Sequence, residues 1–239
     1  MLHLGRDRVI CAYEVDGVIV DPGPASSVET LIDRLGPTEP RALLLTHIHL
    51  DHAGATGVLC RRYPNLKVYV HELGAPHLVD PSKLLKSAGR LYGDDMWELW
   101  GEVAPVPEER ITALSGGETV EGFRVAYTPG HASHHVSYLH EDSGTAFTGD
   151  TAGVRIAGGP VFAPTHFGRY EDVAEHLAGL RAYLAEWAPK ARDLDQEAWT
   201  AEWMTMVQRE GEPPAVEQAM PVDQQYLGLE RFWRKRSGD

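Results

Sequence analysis

Six residues, His47-Ile48-His49-Leu50-Asp51-His52, follow the apolar run Ala42 to Leu45 with only Thr46 between. A short, wholly apolar run of this kind reads as a fully buried strand. The chain must therefore end a core strand in three imidazoles and a carboxylate. Burying that many polar groups without partners is costly, so packing gives no reason for the cluster. Neutral imidazole and carboxylate are the usual ligands of zinc and of non-haem iron. The His-x-His-x-Asp-His order offers two ligand groups, His47 with His49 for one ion and Asp51 with His52 for a second.

The surrounding pattern alternates strands and helices. Val9 to Glu14 and Val18 to Asp21 are strand-like runs joined at Asp16-Gly17, a dipeptide suited to a tight hairpin turn. Val28, Leu31, Ile32 and Leu35 repeat at helical spacing, and Gly36-Pro37 stops that helix. A helix is expected from Ala53 to Arg62, then a strand at Val68 to Val70. Residues Glu72 to Glu109, interrupted by Pro76, Pro81, Pro105 and Pro107, read as irregular and partly helical. Strands are expected at Phe123 to Tyr127, Val136 to Leu139 and Ala146 to Thr148, each beside a candidate ligand. Val173, Leu177, Leu180, Leu184 and Trp187 form a helical stripe. Trp199, Trp203, Met206 and Val207 share a further helical face. Gly211 to Pro214 break the chain, and Tyr226, Leu229, Phe232 and Trp233 mark a last helix. A repeated β-β-α-β pattern predicts two sheets packed face to face and covered by helices. The expected organisation is a catalytic domain over residues 1–190 and a helical extension over 191–239 that packs on the core or on a partner subunit.

The segment Thr46 to Gly54 resembles the signature of the metallo-β-lactamase-fold hydrolase superfamily. Thr128-Pro129-Gly130-His131, Phe147-Thr148-Gly149-Asp150 and Thr165-His166-Phe167-Gly168 resemble its later ligand blocks, in the same order. The run Ala132 to Tyr138 is most similar to a poorly characterised bacterial and archaeal subgroup near the glyoxalase II-like enzymes. The resemblance implies an α/β (α+β) fold, an αββα sandwich of two mixed β-sheets flanked by helices, with metals at one edge between the sheets. It implies that His47, His49 and His131 hold one ion, that Asp51, His52 and His166 hold another, and that Asp150 bridges them. The ions would be divalent, zinc first, with iron or manganese as alternatives. Zinc lowers the pKa of bound water to about 7, so a metal-bound hydroxide can attack an acyl carbonyl near neutral pH. Asp51 would orient that hydroxide and shuttle its proton. A thioester or lactone is expected ahead of a β-lactam, because Asp150 stands where one β-lactamase branch uses cysteine. Asp21, at the end of a strand, is placed behind the ligand histidines, where such carboxylates orient them. Of His134 and His135, at least one is expected to face away from the metals, and His134 is a candidate for contact with the ligands from behind or with substrate. Tyr170 and Phe167 are candidates for substrate contact, and His71 and His77 read as surface or lid residues.

The net charge of −13 disfavours nucleic acid and anionic membranes as partners. The basic cluster Arg231, Arg234, Lys235 and Arg236 reads as a helix end favoured by the helix dipole. The two cysteines, Cys11 and Cys60, fit free thiols in a reducing compartment. No signal-like segment or run of ~20 apolar residues is present, so a cytoplasmic enzyme of a small-molecule substrate is expected. Asp150 and His166 stand closer in sequence than the corresponding residues of related enzymes. That shortening would leave apolar sheet surface for the tryptophan-rich tail or a second subunit, in a homodimer, to cover. The competing readings are a mononuclear iron persulfide dioxygenase and a non-catalytic binding scaffold.

Overall fold

The computed structural model of the chain describes residues 1, 3–151, 166, 168, 172–210 and 222–237. They fall into two compact units: residues up to 151 with His166 and Gly168, and the helices from residue 172 onward.

In the first unit, β1 (Tyr13–Val15) and β2 (Val18–Val20) pair antiparallel across Asp16 and Gly17. Both turn residues take positive φ, 51° and 78°, the conformation a two-residue hairpin needs. Helix α1 (Val28–Leu35) buries Val28, Leu31 and Ile32 and ends at Gly36, whose φ of 60° terminates it. Strand β3 (Ala42–Leu44) is completely buried and runs parallel to β2. Its continuous apolar sequence follows from burial on both faces. Ile19, Leu43 and Leu45 pack with α1 and with the helix after the histidine motif, while Val18, Val20, Ala42 and Leu44 face the second sheet.

The helix expected over Ala53 to Arg62 is two helices, α2 (Leu50–Ala53) and α3 (Thr56–Arg62). The break has a local cause. Gly23 draws the chain outward: its carbonyl accepts from Ala55 N–H at 2.8 Å, and its own N–H donates to the His52 carbonyl at 2.9 Å. Strand β4 (Lys67–His71) lies parallel to β3. The proline-interrupted region contains α4 (Ala75–Val79), α5 (Ser82–Tyr92) and α6 (Met96–Trp100). Strand β5 (Ile111–Leu114) completes a mixed sheet of order β1-β2-β3-β4-β5.

The second sheet comprises β6 (Thr119–Val120), β7 (Phe123–Tyr127), β8 (Val136–His140) and β9 (Thr145–Phe147). Among the described residues it is antiparallel throughout, where a mixed sheet was expected. Strands β5 and β6 escape sequence reading: β6 has only two residues, and in β5 only Leu114 is fully buried, so neither shows a period. The sheets pack face to face through Val18, Val20, Leu44 and Tyr69 on one side and Phe123, Val125, Val136 and Tyr138 on the other. The Tyr138 hydroxyl donates to the Leu45 carbonyl at 2.9 Å, and Val136 N–H donates to the Thr46 carbonyl at 2.8 Å. These two bonds set the start of β8 against the end of β3.

The second unit consists of α7 (Val173–Asp193), α8 (Gln196–Glu210) and α9 (Val222–Ser237). Asp172 caps α7 by accepting from Glu175 N–H at 3.0 Å. The stripe read for α7 is buried only in part: Trp187 is buried and Leu177 and Leu180 are half-buried, but Val173 is 38% and Leu184 43% exposed, and His176 and Ala191 are buried beside the stripe. The tryptophans of α8 and α9 select the buried face. Trp199 Nε1 donates to the Trp187 carbonyl at 3.3 Å, Trp203 Nε1 to the Tyr183 hydroxyl at 2.9 Å and Trp233 Nε1 to the Ala188 carbonyl at 2.5 Å. This packing groups α7 with the helices after it, whereas the sequence reading divides the chain at residue 190. Among the described residues no helix is long and apolar enough to cross a membrane.

Candidate metal centre

The end of β3 is the platform of the site. Leu45 N–H donates to the Tyr69 carbonyl at 2.9 Å, which extends the sheet one residue beyond Leu44. His49 is extended (φ −60°, ψ 151°) and precedes the first turn of α2. His49 therefore leaves from extended backbone, and Asp51 and His52 from a helical turn. That change of backbone divides the motif into two ligand groups.

The first group is His47, His49 and His131. His49 Nδ1 lies 3.0 Å from His47 Nε2 and 2.9 Å from His131 Nε2. The second is Asp51, His52, Asp150 and His166. His52 Nε2 is 3.4 Å from Asp51 Oδ2 and 3.3 Å from Asp150 Oδ1, and His166 Nε2 is 3.3 Å from Asp51 Oδ2. Asp150 spans both groups, with Oδ1 toward His52 and Oδ2 3.5 Å from His131 Nε2. Within each group the ligand atoms lie within 4.8 Å of one another.

The rings are held from behind. Asp21, buried and with an unusual φ of 50°, accepts from Thr46 N–H at 2.8 Å and from the Thr46 hydroxyl at 2.7 Å. Its Oδ2 also lies 2.9 Å from His52 Nδ1. A carboxylate there holds one ring proton on Nδ1, so Nε2 is the nitrogen that can give up its proton and take an ion. His166 Nδ1 donates to the Val9 carbonyl at 2.6 Å, which frees its Nε2 in the same way. Sequence reading gave Thr46 no role, and nothing in a threonine at a strand end distinguishes it.

The electrostatics of the two groups differ in sign. Burial and the neighbouring rings His52 and His49 keep the His47 pKa well below the usual imidazole value. Burial, with His131 beside it, lowers His49 to about 4, and burial also lowers His131. Burial opposes a proton on His52 as well, but Asp150, Asp51 and Asp21 outweigh it and raise His52 well above the usual value. His166 is likewise raised against burial by Asp51 and Asp150. Burial disfavours the charge on Asp51, yet His52 and His166 hold its carboxyl well below the usual carboxylate range.

These residues fit a cation. His52 Nε2 and Asp150 Oδ1 are buried, have no hydrogen-bond partner, and face each other. A bare ring nitrogen among carboxylate oxygens is repulsive unless positive charge sits between them. A proton or a metal ion supplies it, and the His/Asp set is one that zinc or non-haem iron accepts.

The tandem histidines diverge. The His134 ring lies 6.2 Å from His47 and 6.0 Å from His49, its Nδ1 buried without a hydrogen-bond partner, and burial lowers its pKa to about 4. His135 points toward the backbone of Asp150, whose N–H lies 3.2 Å from its Nε2, and burial lowers it to about 4 as well. His71, read as a surface or lid residue, is buried and stacks on Tyr127 at 4.6 Å. Tyr170 and Phe167 lie outside the described residues, as does most of the segment between Asp150 and His166. Cys11 and Cys60 are free thiols.

The pattern of the Metallo-beta-lactamase superfamily matches residues 10–215. A metallo-beta-lactamase fold-containing protein of Sulfurisphaera tokodaii is 32% identical over 166 residues, 66% of this chain and 59% of that protein. A hydroxyacylglutathione hydrolase of Enterobacter sp. (strain 638) is 33% identical over 134 residues, 56% of this chain and 41% of that protein. The chain thus spans about half the length of the curated relatives it matches. Among solved structures, an archaeal metallo-beta-lactamase superfamily protein from Sulfolobus tokodaii superposes with a TM-score of 0.59 at 26% identity, covering 75% of this chain and 83% of that one. A metallo-beta-lactamase family protein from Thermus thermophilus has a TM-score of 0.65 at 19% identity over 95% of this chain and 88% of that one, a likeness of fold alone. Two facing sheets, strand tips that converge on two ligand groups, and a family pattern over most of its length together show that this chain belongs to the metallo-beta-lactamase superfamily.

Proposed function

We propose that the chain is a metal-dependent hydrolase of a small acyl substrate, a thioester or lactone ahead of a β-lactam. The observation that carries this reading is the placement of Asp150, which directs one oxygen toward His52 and the other toward His131, with His52 Nε2 left without a hydrogen-bond partner. His47, His49 and His131 would hold one divalent ion, and Asp51, His52 and His166 a second, with Asp150 shared. Bound there, such ions supply a water of pKa about 7 and polarise an acyl carbonyl.

The protein's own part is orientation. The Asp51 side chain is 21% exposed, so its carboxylate borders solvent and can align an attacking water by accepting its hydrogen bond. His134, neutral near pH 7 because burial lowers its pKa to about 4, has an N–H to offer a substrate oxygen. Asp21 and Thr46 keep the ligand rings in place from behind. Support for an acyl substrate comes from the relatives named hydroxyacylglutathione hydrolase, a name that specifies an acyl group carried on glutathione. The net charge of −13 argues against a nucleic-acid substrate.

The test is metal analysis together with turnover. Protein purified without chelator is expected to carry two divalent ions per chain and to hydrolyse an S-acyl thioester or a lactone faster than a β-lactam. Loaded protein that cleaves neither acyl class would overturn the proposal. One iron per chain with oxygen uptake on a persulfide would replace it with the dioxygenase.

A further inference from the structure

We propose that His135 is a positioning residue that fixes Asp150 between the two ligand groups by accepting a hydrogen bond from the Asp150 backbone N–H. The inference rests on reading the site as a two-ion centre and adds a residue that this reading does not use. His135 is completely buried. Its Nε2 lies 3.2 Å from Asp150 N, and its Nδ1 lies 2.9 Å from Thr151 Oγ1 and 3.0 Å from Thr128 Oγ1. Only a bare nitrogen can accept from an amide N–H. The ring proton therefore sits on Nδ1 and is donated to a threonine hydroxyl. Thr151 adjoins Asp150 and also donates to the Thr128 carbonyl at 3.3 Å.

The backbone of the same residue closes the turn that carries His131. Thr128 N–H donates to the His135 carbonyl at 3.0 Å, and His135 N–H donates to the Ala132 carbonyl at 3.3 Å. The ring also stacks on His47 at 5.0 Å with an interplanar angle of 29°. Stretches of chain that carry three ligands, His47, His131 and Asp150, thus meet on one residue, two of them on its ring and one on its backbone. Gly149 shows how closely the backbone approaches it: a Cβ there would lie 2.7 Å from His135 Nε2 and 2.5 Å from Thr46 Oγ1, and its φ is 49°. His135 places no nitrogen among either set of ligand atoms, so it acts through Asp150 rather than on an ion.

The test compares three variants. His135→Gln can place an acceptor oxygen where Nε2 stands. His135→Asn reaches only the Nδ1 position, and His135→Phe keeps a buried ring with no acceptor. Chelator competition reads the affinity for each ion, the visible spectrum of the cobalt-substituted protein reads ligand geometry, and thermal unfolding of the metal-free forms reports folding separately. His135→Phe and His135→Asn are expected to bind ions 10–100-fold more weakly, a range of about that size being usual for residues that orient metal ligands, and to give an altered cobalt spectrum. His135→Gln is expected to recover most of both. Wild-type affinity in a folded His135→Phe or His135→Asn protein would overturn the proposal, as would a Gln variant no better than Asn. If wild-type protein itself binds no ion pair, the two-ion reading is what fails.

Discussion

Asp21→Asn perturbs the carboxylate on which the second ligand group depends. The amide keeps the side-chain shape, and asparagine tolerates the positive φ of 50° at this position. Its carbonyl oxygen can still accept from Thr46 N–H. The nitrogen that replaces Oδ2, however, faces the Thr46 hydroxyl at 2.7 Å, which can rotate to accept, and His52 Nδ1 at 2.9 Å, which cannot accept while it keeps its proton. Two donors then oppose each other in a buried space. Loss of one hydrogen bond to a charged group costs about 1.5–3 kcal/mol. In a protein of this size each kcal/mol lowers the melting temperature by about 2–4 °C, so the metal-free variant should melt about 3–12 °C lower. His52 escapes the conflict by giving up its Nδ1 proton and keeping the one on Nε2, the atom that faces Asp51 and Asp150. The second ion should then bind about 10–100-fold more weakly, while the His47, His49 and His131 group keeps its affinity. Thermal unfolding and chelator competition measure the two effects. A folded Asp21→Asn protein with native affinity at both sites would refute the reasoning that Asp21 sets the His52 tautomer.

Gly149→Ala should lower stability by about 1–3 kcal/mol and weaken metal binding, because its Cβ would meet Thr46 and His135 at 2.5 and 2.7 Å; calorimetry and elemental analysis check both. His166→Ala should reduce two ions per chain to one, and unchanged stoichiometry would remove His166 from the ligand set. Metal binding should depend on pH unequally. His47, His49 and His131 are neutral above pH ~6.5, so their affinity should be flat from there upward. His52 and His166 have raised pKa values and must release protons to bind an ion, so affinity at their group should climb with pH. Calorimetry in buffers of different ionisation enthalpy counts the protons, and zero release on filling the second site would contradict this. The metal-free fold carries the same asymmetry. The raised His52 and His166 values contribute stability that is present below pH ~6.5 and lost as pH rises through their folded pKa values. The lowered His49 value has the opposite sign, destabilising the fold as pH falls from ~6.5 toward about 4. Melting curves across pH should separate the two trends in wild type and His49→Ala.

The parts of the fold legible in the sequence were those set by local chemistry. Asp16-Gly17 makes its hairpin from its own backbone preferences, and Ala42 to Leu44 is buried on both faces as its uniform apolarity requires. His47, His49, Asp51 and His52 crowd one stretch of chain, so their grouping is a matter of spacing. What distant partners decide was hidden. The split between α2 and α3 depends on Gly23, about thirty residues upstream, and the buried face of α7 on tryptophans of later helices. His134 and His135 are adjacent and chemically identical, and only sheet register turns one toward the ligand groups and the other toward Asp150. No periodicity announces that Thr46 is held by a carboxylate 25 positions earlier.

The bond from His166 Nδ1 to the Val9 carbonyl has a practical corollary. It makes the stretch around Val9 an accessory of the candidate metal centre although it contributes no ligand atom. Proteolytic trimming or a fused partner that peels Val9 away would free the imidazole to rotate, and cation loss would follow while both sheets stay folded.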